Sequence, residues 1–120
     1  MILVVDDEPA LVEVISSVLE DEGHEVTTAP DGAAALAILL SGVRPCLTIL
    51  DLMMPRMSGW ELRERMLAEP ELASIPVAIA SAYATGELDT LQPAAVIHKP
   101  FQLEDLIELA ARHCGSETSA

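Results

Sequence analysis

Ile2-Leu3-Val4-Val5-Asp6-Asp7-Glu8-Pro9 is the stretch that decides the fold. Four consecutive apolar residues, three of them β-branched, end abruptly in three carboxylates. A half-exposed strand would alternate apolar and polar residues, so an unbroken apolar run of this length reads as a strand buried on both faces. Such strands belong to parallel sheets with helices on either side. The residues that follow agree: Pro9 stands in a first-turn position, Leu11, Val14, Ile15, Val18 and Glu22 recur at helical spacing, and Gly23 supplies a stop.

Outward from this unit the same alternation continues. A strand is predicted over residues 24–28, a helix over 31–40 ended by Ser41-Gly42, and a buried strand over 46–50. A helix over about 57–68, a strand over 75–80, a weak helix near 86–91 and a strand over 94–97 follow. Residues 102–114 close the series as a helix with Leu103, Leu106, Ile107, Ala110 and Cys114 on one face. Five strands alternating with five helices through short connections imply a parallel sheet covered on both faces by right-handed crossovers. Residues 1–114 are expected to form one domain, with residues 115–120, small and polar, as a flexible tail or the start of a linker.

Composition bounds the function. A chain of 120 residues with 51% hydrophobic and 22% charged residues has enough apolar surface for one packed core. Its formal net charge of -14 would repel phosphate backbones and anionic lipid headgroups, which argues against direct nucleic-acid or membrane binding. No apolar run approaches the roughly 18 residues that span a bilayer, and no basic leader precedes the first strand, so a cytoplasmic location is expected. With no flanking residues ahead of the first strand, the chain is expected to be trimmed or part of something longer. Cys46 and Cys114 fit neither a disulfide framework nor a zinc site by their spacing, and both are expected to be reduced thiols.

In a parallel sheet every strand ends on the same edge, and ligands bind there, where the strand order reverses. Strand one is followed by Asp6-Asp7-Glu8, strand three ends at Asp51, strand four at Ser81, and strand five leads through His98 to Lys99-Pro100. Each residue alone has an ordinary reading: a helix-capping aspartate, a turn serine, a solvated lysine. Their convergence on one edge is what carries the chemistry. Asp6, Asp7 and Asp51 against Lys99 leave two net negative charges, and two unit charges ~4 Å apart repel by roughly 4 kcal/mol at an effective dielectric of 20. A divalent cation would relieve that. Hard carboxylate oxygens with no histidine or thiolate beside them favour Mg2+ over zinc. The chemistry suggested is phosphoryl transfer to a carboxylate, assisted by a metal, a lysine and a hydroxyl.

Val5-Asp6-Asp7-Glu8-Pro9, Asp51-Leu52-Met53-Met54-Pro55-Arg56-Met57-Ser58-Gly59, Ser81-Ala82 and Lys99-Pro100-Phe101 together resemble the receiver domains of two-component response regulators. The likeness spans essentially the whole chain. It implies a doubly wound (βα)5 flavodoxin-like α/β sandwich with a parallel five-stranded sheet of order 2-1-3-4-5. It also implies that Asp51 is the phosphoacceptor, that Asp7 and Asp51 ligate Mg2+ with the backbone carbonyl of Met53, and that Asp6 assists through water. Ser81 would hydrogen-bond the phosphoryl group and Lys99 would pair with it, and the Lys99-Pro100 bond is a candidate for the cis isomer. The implied partners are a cognate histidine kinase or phosphotransfer domain as donor and an output domain or downstream effector as recipient. The resemblance makes the chain a regulatory phosphoacceptor that assists its own phosphorylation and dephosphorylation, rather than an enzyme acting on other substrates.

Two departures stand out. The segment between Ser81 and Lys99 is about four residues shorter than in most receivers, roughly one helical turn, so the fourth helix is expected to be shortened. Val96 stands where the family commonly places a switching Tyr or Phe, and Tyr83, two residues after Ser81, is the candidate to sense phosphorylation or shield the phosphoryl group instead. Both features suit an alternative, a receiver-fold interaction module that acts without phosphorylation. Against it, a purely structural module has no need to hold repelling carboxylates together. A flavodoxin-like cofactor binder would need a Ser/Thr/Gly-rich loop after strand one, where Asp6-Asp7-Glu8 stands. An aspartate-nucleophile phosphatase would place its nucleophile there and want a cap domain.

Overall fold

Residues 1–52, 57–81, 91–99 and 101–115 are described in the computed structural model of the chain. Five strands, β1 (Ile2–Val5), β2 (Val26–Ala29), β3 (Leu47–Asp51), β4 (Val77–Ser81) and β5 (Ala95–His98), form one parallel sheet of order β2-β1-β3-β4-β5. The described helices are α1 (Pro9–Asp21), α2 (Gly32–Leu40), α3 (Gly59–Ala68), the single turn α4 (Pro70–Ala73) and α5 (Leu103–Cys114). The expected doubly wound order is observed. Strands β2 to β5 each end one residue later than the apolar pattern predicts; in β3, β4 and β5 the ladder of backbone hydrogen bonds continues into the first polar residue, at Asp51, Ser81 and His98. The turn α4 was not foreseen. The helix expected near residues 86–91 falls outside the described residues except for Leu91.

Alternation along each strand divides the core in two. Leu3, Val5, Leu50, Val77 and Ile79 point to one side and join Ala35, Leu39, Leu62 and Met66 of α2 and α3. On the other side Ile2, Val4, Leu47, Ile49, Ala78 and Ala80 join Ile15 and Leu19 of α1 and Leu106, Leu109 and Ala110 of α5. All four residues of β1 are at most 1% exposed, as the unbroken apolar run requires. Burying each such side chain is worth about 1.5–3 kcal/mol, so β1 and its neighbours fix the register of the sheet. The helical stripes are turned slightly from their predicted faces. Val14 is 46% exposed and Leu103 37%, while Leu19 and Leu109 take the inward positions.

Local signals start the helices. Asp31 caps α2, its Oδ1 accepting the Ala34 N–H at 2.8 Å, and Ser58 caps α3 by accepting the Glu61 N–H at 3.3 Å. Pro9 opens α1 without any side-chain cap.

The expectation of two reduced thiols is corrected: Cys46 and Cys114 are joined in a disulfide, with Cα atoms 5.4 Å apart across 68 residues of sequence. The reason is topological. Cys46 stands just before β3, and α5 runs antiparallel to the strands, so its last residue, Cys114, returns to the edge where β3 begins. Both side chains pack against the same buried cluster. Sequence spacing carries no trace of such a pairing.

Candidate functional site

The register sets the level of every strand end. Val5 lies opposite both Ala29 and Leu50, Asp51 opposite Ala80, and Ser81 opposite His98. Asp6, Asp51, Ser81 and Lys99 therefore reach the carboxyl edge of the sheet within about one residue of each other, on the central strands β1, β3 and β4 and the marginal β5. β2 ends beside them without a comparable group.

Asp6 is 4% and Asp51 5% exposed, while Asp7 is open to solvent. Carboxylate oxygens of the three lie within 4.8 Å of one another. The Lys99 ammonium donates to Asp6 Oδ2 at 2.9 Å and approaches Asp51 Oδ2 at 3.6 Å. Burial pushes the Lys99 ammonium down, but its hydrogen bond to Asp6 and the charges of Asp6, Asp51 and Glu8 outweigh that and hold it above its ordinary value. The lysine is thus firmly cationic and offsets one of three negative charges. Asp6 is further fixed by the Glu8 N–H, which donates to its Oδ1 at 3.0 Å. A cleft of about 400 Å³ between α1 and β2 opens beside Asp6 and Asp7, with Pro9, Val12 and Ala29 among its walls.

The predicted cluster of Asp6, Asp7, Asp51 and Lys99 is therefore brought together. Ser81 is the last residue of β4, beside Asp51 on β3; its side chain lies outside the description. Met53, Tyr83 and Pro100 lie outside the described residues, so the carbonyl ligand, the aromatic residue and the cis bond belong to expectation alone.

Two features escaped the sequence reading. Gly59, the first residue of α3, donates its N–H to the Leu52 carbonyl at 3.2 Å, and a Cβ there would fall on the Asp51 carbonyl oxygen and 2.7 Å from Leu52 Cα. Only glycine lets α3 start so close to the backbone that carries Asp51. Arg63 of α3 is 3% exposed and donates to the carbonyls of Leu91 at 2.8 Å and Gln92 at 3.2 Å. It ties α3 to the chain that enters β5. A signal existed: Gly59, Leu62, Arg63 and Met66 form one buried stripe, in which the arginine is the anomaly.

Comparison with known proteins bears on this geometry directly. The sequence model described as the response regulator receiver domain matches residues 2–111. The chain belongs to the response regulator receiver family. This receiver is 34% identical over 118 residues to the sporulation initiation phosphotransferase F of Bacillus subtilis, covering 93% of this chain and 91% of that one. It is 35% identical over 111 residues to the probable transcriptional regulatory protein TcrX of Mycobacterium tuberculosis, covering 88% of this chain and 46% of the other. The receiver thus spans about half the length of several relatives that it matches. Among solved structures, the chemotaxis protein CheY4 of Vibrio cholerae superposes with a TM-score of 0.84 at 28% identity, covering 93% of this chain and 96% of that one. The response regulator TrrA of Thermotoga maritima, in complex with Mg2+ and BeF, gives a TM-score of 0.81 at 32% identity, with 92% and 96% covered. Among the described residues, no helix is long and apolar enough to cross a membrane.

Proposed function

We propose that this receiver is a phosphoacceptor switch of a two-component phosphorelay, in which Asp51 takes a phosphoryl group from a histidine kinase or phosphotransfer domain in a Mg2+-dependent step. The observation that carries the reading is the trio of carboxylates within 4.8 Å, two of them buried, with Lys99 alongside. An aspartate pair held at this distance without a function would be costly.

The donor set fits Mg2+: all oxygen, carboxylate-rich, and open to solvent on the Asp7 side. Asp7 and Asp51 would hold the ion with the Met53 carbonyl, and Asp6 would bind it through water. When bound, Mg2+ supplies charge neutralisation for the phosphoryl oxygens. The remaining work falls to the chain. A carboxylate oxygen of Asp51 attacks phosphorus as the bond to the donor nitrogen breaks, giving an aspartyl-phosphate. Lys99, now on Asp6, is close enough to Asp51 to pair with a phosphoryl oxygen, and Ser81 would donate its hydroxyl to another. Glu8 N–H fixes Asp6 so that the lysine has two defined partners, one for each state. The phosphoryl group then biases a two-state element, and an output domain or downstream effector reads the change. The protein acts in the cytoplasm, where kinases of this class present their donor domains, and its acidic surface argues against contact with nucleic acid or membrane.

Intact mass spectrometry after incubation with Mg2+ and acetyl phosphate tests the reading. Gain of one phosphoryl group by the wild type, and none by Asp51→Ala or by wild type in chelator, is the expected result. No gain under any condition, including with a cognate kinase, would leave a receiver-fold module that works unphosphorylated.

A further inference from the structure

We propose that Cys46 and Cys114 form a reversible thiol–disulfide modification site, opened and closed by exchange with small thiols and disulfides, that fastens the last turn of α5 to the start of β3. The inference is independent of the phosphoacceptor reading. It rests on where the two sulfurs sit and on what holds them there.

The Cα separation of 5.4 Å lies within the range that a disulfide spans without backbone movement. Packing as well as the bridge seats the two residues. Both cysteines lie against the cluster that includes Leu47, Leu106, Leu109 and Ala110, residues at most 4% exposed. The fold holds the thiols in bonding position when reduced, and closing the bridge becomes an intramolecular step with a high effective concentration. Neither residue is fully buried, which leaves the bridge region open to exchange with a small thiol or disulfide. They are the only two cysteines of the chain, which leaves no competing pairing. A domain with two buried clusters of this size does not need a staple to fold. In the cytoplasm, the location proposed above, a disulfide is more often redox-responsive than structural.

The chemistry balances with a small disulfide as oxidant. One protein thiolate attacks a sulfur of oxidised glutathione and releases one glutathione thiolate. The second protein thiolate attacks the protein sulfur of that mixed disulfide, closing Cys46–Cys114 and releasing the second glutathione. Two protein thiols are oxidised and one glutathione disulfide is reduced to two thiols. A dithiol reverses the sequence.

The bridge lies one strand length from the phosphoacceptor, since β3 runs from Leu47 beside Cys46 to Asp51, about 16 Å at ~3.3 Å per residue. Its effect falls on α5 instead. Cys114 is the final helical residue, followed by Gly115 at φ +66°. Helix ends are where local opening begins. Closing the bridge clamps that end, and with it the direction in which the chain leaves α5.

The test uses the full chain, reduced and desalted, then equilibrated in glutathione mixtures of increasing oxidised fraction, quenched with iodoacetamide and read by intact mass and thermal melting. The expected result is a monomer carrying two alkyl groups when reduced and none when oxidised, without lasting glutathione adducts. The oxidised form should melt about 15–20 °C higher, the gain expected for closing a loop of 68 residues in a domain of this size. Cys46→Ser and Cys114→Ser should each melt with the reduced wild type and lose the redox dependence. Persistent mixed disulfides, a disulfide-linked dimer, equal melting temperatures of the two forms, or a bridge that resists dithiothreitol in the folded protein would each overturn the proposal.

Discussion

Lys99 stands 2.9 Å from Asp6 and 3.6 Å from Asp51, and that asymmetry sets what its loss would do. Among the described residues it is the cation closest to two buried carboxylates, so in metal-free protein Lys99→Ala should destabilise the fold by about 2 kcal/mol, the scale of a charged hydrogen bond, as read by urea unfolding in chelator. Adding Mg2+ should recover part of that loss while phosphorylation remains slow. The pH dependence follows from the raised ammonium. The ion pair stabilises the metal-free protein fully at pH below about 10, the unfolded value, and the contribution is lost as pH rises through the higher folded value. Urea midpoints of wild type and Lys99→Ala should therefore converge only in strong alkali. Arg63 is the second residue on which stability turns. Burial pushes its guanidinium down, and one of its nitrogens, Nη1, has no hydrogen-bond partner among the described residues. Arg63→Ala would strand two carbonyls and open a cavity, at about 3 kcal/mol. Arg63→Met should recover some of it by refilling the volume. Equal stability of Arg63→Ala and wild type would show that the carbonyls find other partners.

At the scale of elements, the close approach of α3 to β3 links packing to the site. Gly59→Ala has to push the helix start off the Asp51-Leu52 backbone. A loss of at least about 2 kcal/mol is expected, with slower phosphorylation of the folded fraction, because the strain falls on the backbone of Asp51, the proposed acceptor. The residue was legible as part of a motif; its steric role was not, since nothing in a sequence shows which backbone lies across from a helix start. The same limit explains the rotated stripes of α1 and α5. Heptad-like spacing locates an apolar face to within about one residue, and the final angle is set by which neighbour is there to receive it. Leu19 and Leu109 turn inward because β1, β3 and the other helix complete one cluster around them.

For the whole molecule, a ligand that binds only the folded state adds stability that grows with the logarithm of its excess over Kd, about 2.7 kcal/mol at a hundredfold excess. Mg2+ should therefore raise the melting temperature of the wild type, and Asp51→Asn or Asp7→Asn should blunt the rise. An equal rise in all three would place the ion elsewhere on a surface with net charge -14. Polarity patterns along the chain were enough for the sheet, for its order by resemblance, and for the four strand ends that carry Asp6-Asp7, Asp51, Ser81 and Lys99. Strand interiors and strand ends are local patterns of polarity, and a parallel sheet turns them into a layer and an edge. What only the tertiary structure decided were contacts between residues far apart in the chain: the Cys46–Cys114 bridge, the burial of Arg63 against Leu91 and Gln92, and the choice of Asp6 over Asp51 as the nearer partner of Lys99. Those depend on how helices and strands meet in space, and such distances are set by packing among many side chains at once rather than by any spacing along the chain.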